Sequence, residues 1–451
     1  MTTPDWSARS GELRRAIDDT PWVDTHEHLV EERHRLGGSA YRYVDAPSGE
    51  PGSIAPGWSG LLCYSYAVRD LVSAGMPPEA VDLLGDPERS PVEQWDAVAS
   101  YLAASRATGY VRALDLTTER LFGLRLERDS VEEIDARCRA LRVEGYYEHV
   151  LRDVANIARC QVHTIDADPF CETRTPSLLQ QDISLVPLVL GRHAAVEQAS
   201  GVEVGSLDDY LDAIEWCFER YAARAVAVKC LWAYHRPLAL GPAGEPPRQA
   251  FRRLRDGSAS LDERRRVEDF LFRRCLALAT EAGLPVKLHL GYLDGNDSPQ
   301  LAHVFDHVRD VAPIVQANPR TTFVLMHKAW PQQEQLLALA KHQPNVVVDL
   351  CFSWVLAPLA TVDFVQRFLT TAPASKLLCF GGDYCTVENV VGHAELARRG
   401  LQSALEGLVA HGWLSGDEAL ALVPRLMHGN ADAVFPPHLA DGSRAEPVAA
   451  R

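Results

Sequence analysis

The apolar and polar positions along the chain alternate between two periods. Short apolar runs rich in β-branched residues predict strands at 22–28, 160–165, 184–190, 225–232, 285–290, 321–326, 345–350 and 376–380. Between them, apolar residues at helical spacing predict helices such as 207–224, 261–282 and 332–342. Strand followed by helix, with strands apolar enough to be covered on both faces, signals a parallel sheet. Eight such units close naturally into a (β/α)8 TIM barrel. An open doubly wound sheet is the rival, and it would want a glycine-rich phosphate loop after the first strand, where none stands.

One stretch breaks the alternation. From about residue 30 to 157, Gly/Pro-rich loops lead into amphipathic runs at 91–107 and 131–141. The expected organisation is a barrel from 1–29 and 158–440, a mostly helical insertion at 30–157 capping it, and a tail at 441–451. No internal repeat or low-complexity segment is visible.

Composition then narrows the function classes. Of 451 residues, 47% are hydrophobic and 24% charged, as in ordinary globular proteins. The formal charge of −16 disfavours nucleic acid as a partner. No apolar run suits a membrane span, and the first residues lack the apolar core of a secretory signal. Ten scattered cysteines without a CxxC pair read as reduced thiols, so a cytoplasmic protein is expected. The expected partner is a small-molecule substrate, and exposed barrel helices leave room for a homo-oligomer.

Barrel chemistry sits at the C-terminal strand ends. There the sequence places His26 and His28, Lys229, His289, His327 and Asp383. Residues i and i+2 of a strand share a face, so both imidazoles of His26 and His28 can aim at one point. Imidazoles with a carboxylate suit a divalent metal, Zn²⁺ first, with Mn²⁺ or Fe²⁺ as alternatives. A lone HxH is a weak signal. Five such groups at four strand ends are a strong one. Arg236 follows the fourth strand and could grip a substrate carboxylate. Trp232, Tyr292 and Trp330 lie just past strand ends and could wall a pocket. Lys287 and Asp24 stand one layer deeper, where a buried ion pair between them is expected. Glu27 should point away from the metal, so no chemistry is assigned to it.

The segments VDTHEHL, VKCLWAYHRP, LPVKLHLGY, FVLMHKAWP, NVVVDLCFSW, FGGDYC and HGNADAVF together resemble the amidohydrolase superfamily. The resemblance is to its second large branch, which includes the amidohydrolase-like domain of nodulin/glutamine-synthetase fusion proteins and is related to uronate isomerases. It implies one or two divalent ions held by His26, His28 and Asp383, with His289 and His327 as further ligands and His327 also a catalytic candidate. Lys229, if carboxylated, would bridge two ions. Asp383 would be the acid/base. The insertion residues Tyr64, Tyr66, Arg69, Tyr110 and Arg112 would reach the barrel mouth. The expected activity is hydrolysis of an amide, other C–N or ester bond by metal-activated water, with uronate-type isomerisation or non-oxidative decarboxylation as the alternative. A non-catalytic binding protein is disfavoured, because it has no need of five converging ligands.

Overall fold

The computed structural model describes residues 6–36, 57–86, 88–141, 143–164, 168–191, 193–295 and 301–435. Eight strands lie in one sheet in sequence order, and the fold is a (β/α)8 barrel. They are β1 (Trp22–Glu27), β2 (Ile157–Val162), β3 (Leu179–Ser184), β4 (Ala225–Cys230), β5 (Val286–Leu288), β6 (Phe323–Leu325), β7 (Val346–Asp349) and β8 (Leu377–Leu378). Between β1 and β2 every regular element among the described residues is helical. Of the Gly/Pro-rich loops expected at 37–60, residues 37–56 lie outside the described residues, as does the tail at 441–451, and 58–60 instead open the helix Trp58–Cys63. No described helix is long and apolar enough to cross a membrane.

The third strand differs from expectation. The apolar run at 184–190 was expected to be a strand, but Val186–Val189 is a helical turn with Pro187 in its first turn. The strand is the preceding LQQDIS, buried at every position despite four polar side chains. Proline is pre-organised for a first helical turn and donates no ladder bond. The acidic residue is explained by what it meets. Asp182 Oδ2 accepts from Lys287 Nζ of β5 at 2.8 Å, and both side chains are fully buried. The buried ion pair expected for Lys287 therefore forms with the β3 carboxylate.

The chain divides into two compact units, 1–160 with 294–298 and 350–430, and 161–293 with 299–349 and 431–451. The second contains β3 to β7, paired parallel and in register from Val228↔Val286 to Leu325↔Val348.

In the first unit, β1 is bonded on both sides, by Trp22 N to Asn156 O at 3.0 Å and Thr25 N to Phe380 O at 3.0 Å. The long helix Val387–Ala410 packs here against the helix Gly109–Phe122. Small residues allow the approach: a Cβ on Gly392 would lie 1.8 Å from Ala113 O.

From that long helix, Arg398 gathers the chain ends around β1. Its guanidinium donates to Thr20 O at 2.9 Å, Asn156 O at 3.1 Å, Ala155 O at 3.3 Å and Ile17 O. Burial pulls it down to about 10, so it stays charged at neutral pH. Arg398→Ala would leave these carbonyls short of donors, at a cost of about 3 kcal/mol. A urea midpoint within error of the parent would contradict this role. Lys287→Met would strand the Asp182 carboxylate without its cation, and about 3–5 kcal/mol of stability should be lost. Replacing both partners, Lys287→Met with Asp182→Leu, should recover much of that loss in the same denaturation assay.

Candidate metal centre

In the first unit, the last residues of β1 and the loop after β8 converge. His26 Nε2 and His28 Nε2 each lie 3.2 Å from Asp383 Oδ1. The two rings stand 4.7 Å apart and nearly perpendicular, at 82°. His26 is fully buried, and Asp383 is 8% exposed. The three side chains offer ligand atoms within 4.8 Å of one another, the pattern of a metal site. Two imidazole nitrogens and a carboxylate oxygen aimed at one point fit Zn²⁺, Mn²⁺ or Fe²⁺.

The backbone explains why Asp383 faces the histidines. Asp383 N donates to His26 O at 2.8 Å, and His28 N donates to Tyr384 O at 2.9 Å. Asp383 itself has φ 64, a left-handed conformation that a non-glycine residue adopts only when its surroundings over-determine it.

Three neighbours supply that constraint. Asp24 Oδ1 accepts from His26 N at 3.0 Å and Gly382 N at 3.1 Å. Glu27 Oε2 accepts from Tyr384 N at 2.6 Å. Tyr66 donates its hydroxyl to Asp383 O. Sequence reasoning set Glu27 aside because alternation turns it away from the histidines. It points instead into the back of the loop that carries Asp383, where a Cβ on Gly382 would lie 1.8 Å from its Oε1. Burial, then the Asp24 charge, raises the Glu27 carboxyl well above its ordinary range. His393 Nδ1 donates to Gly382 O at 3.3 Å, and burial pulls this imidazole down to about 3.

The insertion residues expected at the barrel mouth divide. Tyr66 stacks within 5.5 Å of Tyr110, Phe352 and Tyr384. Arg69 Nε lies 3.4 Å from Asp294 Oδ2. Burial raises the Asp294 carboxyl and Arg69 opposes the shift, with Asp383 adding to it. Arg112 serves the surface of its own helix, paired with Asp115 at 3.3 Å. Sequence reasoning missed Asp294, Tyr384 and Phe352. Asp294 could have been found from its place in GYLDG, just past β5.

In the second unit, His289 and His327 are bonded to each other. His289 Nε2 lies 3.0 Å from Tyr292 O, and a carbonyl can only accept, so this nitrogen carries the proton. His289 Nδ1 is then an acceptor, and His327 Nε2 donates to it at 2.9 Å. Both nitrogens of His289 are thus engaged, and ligation by His289 would require one of these bonds to break. His327, Lys328 and Ala329 all have left-handed φ of 58, 44 and 50. Gly291 makes room for that turn, since a Cβ there would lie 2.6 Å from Ala329 C. Lys229 is fully buried, in register with Lys287, its Nζ 2.6 Å from Met326 Sδ.

Two expected substrate contacts are corrected. Arg236 donates to Pro237 O, Arg265 O, Ala239 O and Glu268, the last at 2.9 Å, and pairs with Asp269 at 2.8 Å. Its guanidinium is committed within the protein. Trp232 is 2% exposed, held between Phe272 and the Arg236 guanidinium, so it is core and not pocket wall. Tyr292 and Trp330 remain half-buried past their strands, 5.7 Å apart edge to face.

The strand-end histidines and carboxylate on a (β/α)8 barrel define a metal-dependent barrel enzyme class. The amidohydrolase family model matches residues 207–436, about half of the chain, and the chain belongs to that family. No curated protein sequence matches it. Among solved structures it is similar to a glucuronate isomerase from Caulobacter crescentus, at 18% identity over 99% of this chain and 97% of that one, with a TM-score of 0.75. A uronate isomerase from Thermotoga maritima aligns at 16% identity over 96% and 99%, with a TM-score of 0.73. A Lactobacillus casei protein described as a candidate metal-dependent hydrolase aligns at 16% identity over 94% and 97%, with a TM-score of 0.59.

Gly382→Ala should drive a methyl group into Glu27 and displace Asp383. Bound metal in the purified variant should fall several-fold by plasma mass spectrometry, while Gly412→Ala, in open space on the surface, should keep parental metal. The His393 shift also predicts acid sensitivity. Its folded value lies below the unfolded value near 6.5, so the unfolded chain binds the proton first. The stability this imidazole contributes is full above about pH 6.5 and falls by about 1.4 kcal/mol per unit below it. His393→Asn should flatten the decline in urea midpoint between pH 6.5 and 5.

Proposed function

We propose that the chain is a metal-dependent isomerase of a small hydroxylated carbonyl acid of the uronate type. The observation that carries this reading is the His26–His28–Asp383 convergence, at 3.2 Å from both imidazoles to one carboxylate oxygen. It is supported by the whole-length likeness to proteins described as glucuronate and uronate isomerases, which extends over 99% and 96% of the chain. A divalent ion in this site would supply a Lewis acid for the substrate's carbonyl and hydroxyl oxygens. Asp383 is the group that takes a proton from one carbon and returns it to the next. Tyr66, on the Asp383 carbonyl, holds the base in place, and Tyr292 and Trp330 are the aromatic contacts proposed for the substrate. His26, His28 and Asp383 form one ligand set, so one ion per chain is the primary expectation. His327 is proposed as a proton relay or additional ligand.

The second reading is hydrolysis of an amide, other C–N or ester bond, with the nodulin-fusion branch and its γ-glutamyl amides as the finer form. It is favoured by the amidohydrolase family model, which matches residues 207–436.

Incubation with glucuronate or galacturonate in D₂O separates the readings. The isomerase should give a ketose product and deuterium at the adjacent carbon by NMR, and Asp383→Asn should reduce this at least about a hundredfold. No turnover of uronates alongside turnover of amides would replace the first reading with the second. Metal content tests Lys229 separately. About one equivalent is expected. Two equivalents with bicarbonate, falling to one in Lys229→Ala, would support the carboxylated bridge.

A further inference from the structure

The loop after β4 and the first turns of the helix Leu261–Glu281 bound a cavity of about 500 Å³. Cavities of this size hold small metabolites. None of the ligands assigned to the metal lines it. Its base is rigid, because Arg236, 7% exposed, is clamped between Glu268, Asp269 and the Trp232 ring. That clamp also neutralises Glu268, the lining's one carboxylate.

The remaining polar lining is cationic or donor in character. Arg264 and Arg265 line the cavity from the helix; neither forms a close ion pair among the described residues, and Arg264 adds to Arg236 in holding Glu268 charged. His235 comes from the loop after β4, and His303 from the helical turn Leu301–Asp306. The chain carries a net −16, yet here three elements turn cationic or imidazole groups into one volume without an uncommitted acid. A single carboxylate presents two oxygens and one charge, which one guanidinium satisfies. A phosphate ester presents three oxygens and close to two charges, which matches two guanidinium forks and adjacent imidazoles.

We propose that this cavity binds a phosphate-bearing small molecule. The site does not depend on which reaction the metal centre performs.

Pyrophosphate is the probe, titrated by calorimetry into the full chain at low ionic strength, with malonate as a dicarboxylate control of similar size. The site should take pyrophosphate saturably, at least about tenfold more tightly than malonate. The double variant Arg264→Ala/Arg265→Ala should lose about tenfold or more, the scale of one charge-assisted contact. Both side chains are exposed, so the fold should be retained. The double variant Arg252→Ala/Arg266→Ala removes the same charge from exposed positions outside the lining and should bind as the parent does. The proposal is overturned by an absence of saturable binding or by equal affinity for malonate. Equal loss in both double variants overturns it too, as does binding that survives in Arg264→Ala/Arg265→Ala and disappears in His26→Ala.

Discussion

The two backbone bonds between the end of β1 and the loop after β8 are the constraint on which the rest of the site depends. Asp383 N to His26 O and His28 N to Tyr384 O set the carboxylate against both imidazoles before any side chain rotates. The arrangement is costly, because it holds Asp383 at a positive φ. Glu27 and Asp24 meet that cost by accepting the loop's N–H groups from behind. A ligand set anchored through backbone needs little reorganisation when an ion arrives, which is the condition for a site held within a fraction of an ångström.

Much of this was legible in the sequence, for a definite reason. Strand alternation is a period of two, so His26 and His28 had to share a face, and strand-end position announced Asp383. The barrel followed from eight apolar runs separated by helical ones. What failed was hydrophobicity as a guide to burial. The third strand is LQQDIS, wholly buried with four polar residues in six, and its Asp182 is satisfied by Lys287 from β5, the next strand but one. The apolar VPLV beside it is helical. No single-residue scale contains that partnership.

Long polar side chains were the other source of error. Arg236 and Trp232 sit at the expected strand end, but sequence position does not say which way a guanidinium turns. Glu268 and Asp269, some thirty residues on, claim it. Glu27 erred the other way: alternation gave its direction correctly, and what it meets there, the back of the Asp383 loop, is invisible without the fold. The tautomers of His289 and His327 likewise depend on a carbonyl, Tyr292 O, whose direction only the backbone reveals.

The close approach of Gly392 to Ala113 has a mechanical consequence. The helix Val387–Ala410 starts four residues after Asp383, and a Cβ on Gly400 would lie 2.3 Å from the Trp354 ring. Contacts this tight leave no slack between that helix and Gly109–Phe122 of the insertion. Tyr66 stacks on Tyr110 of that second helix and donates its hydroxyl to Asp383 O, so the insertion touches the backbone of the carboxylate residue directly. Whatever presses on the insertion is therefore felt at the carboxylate.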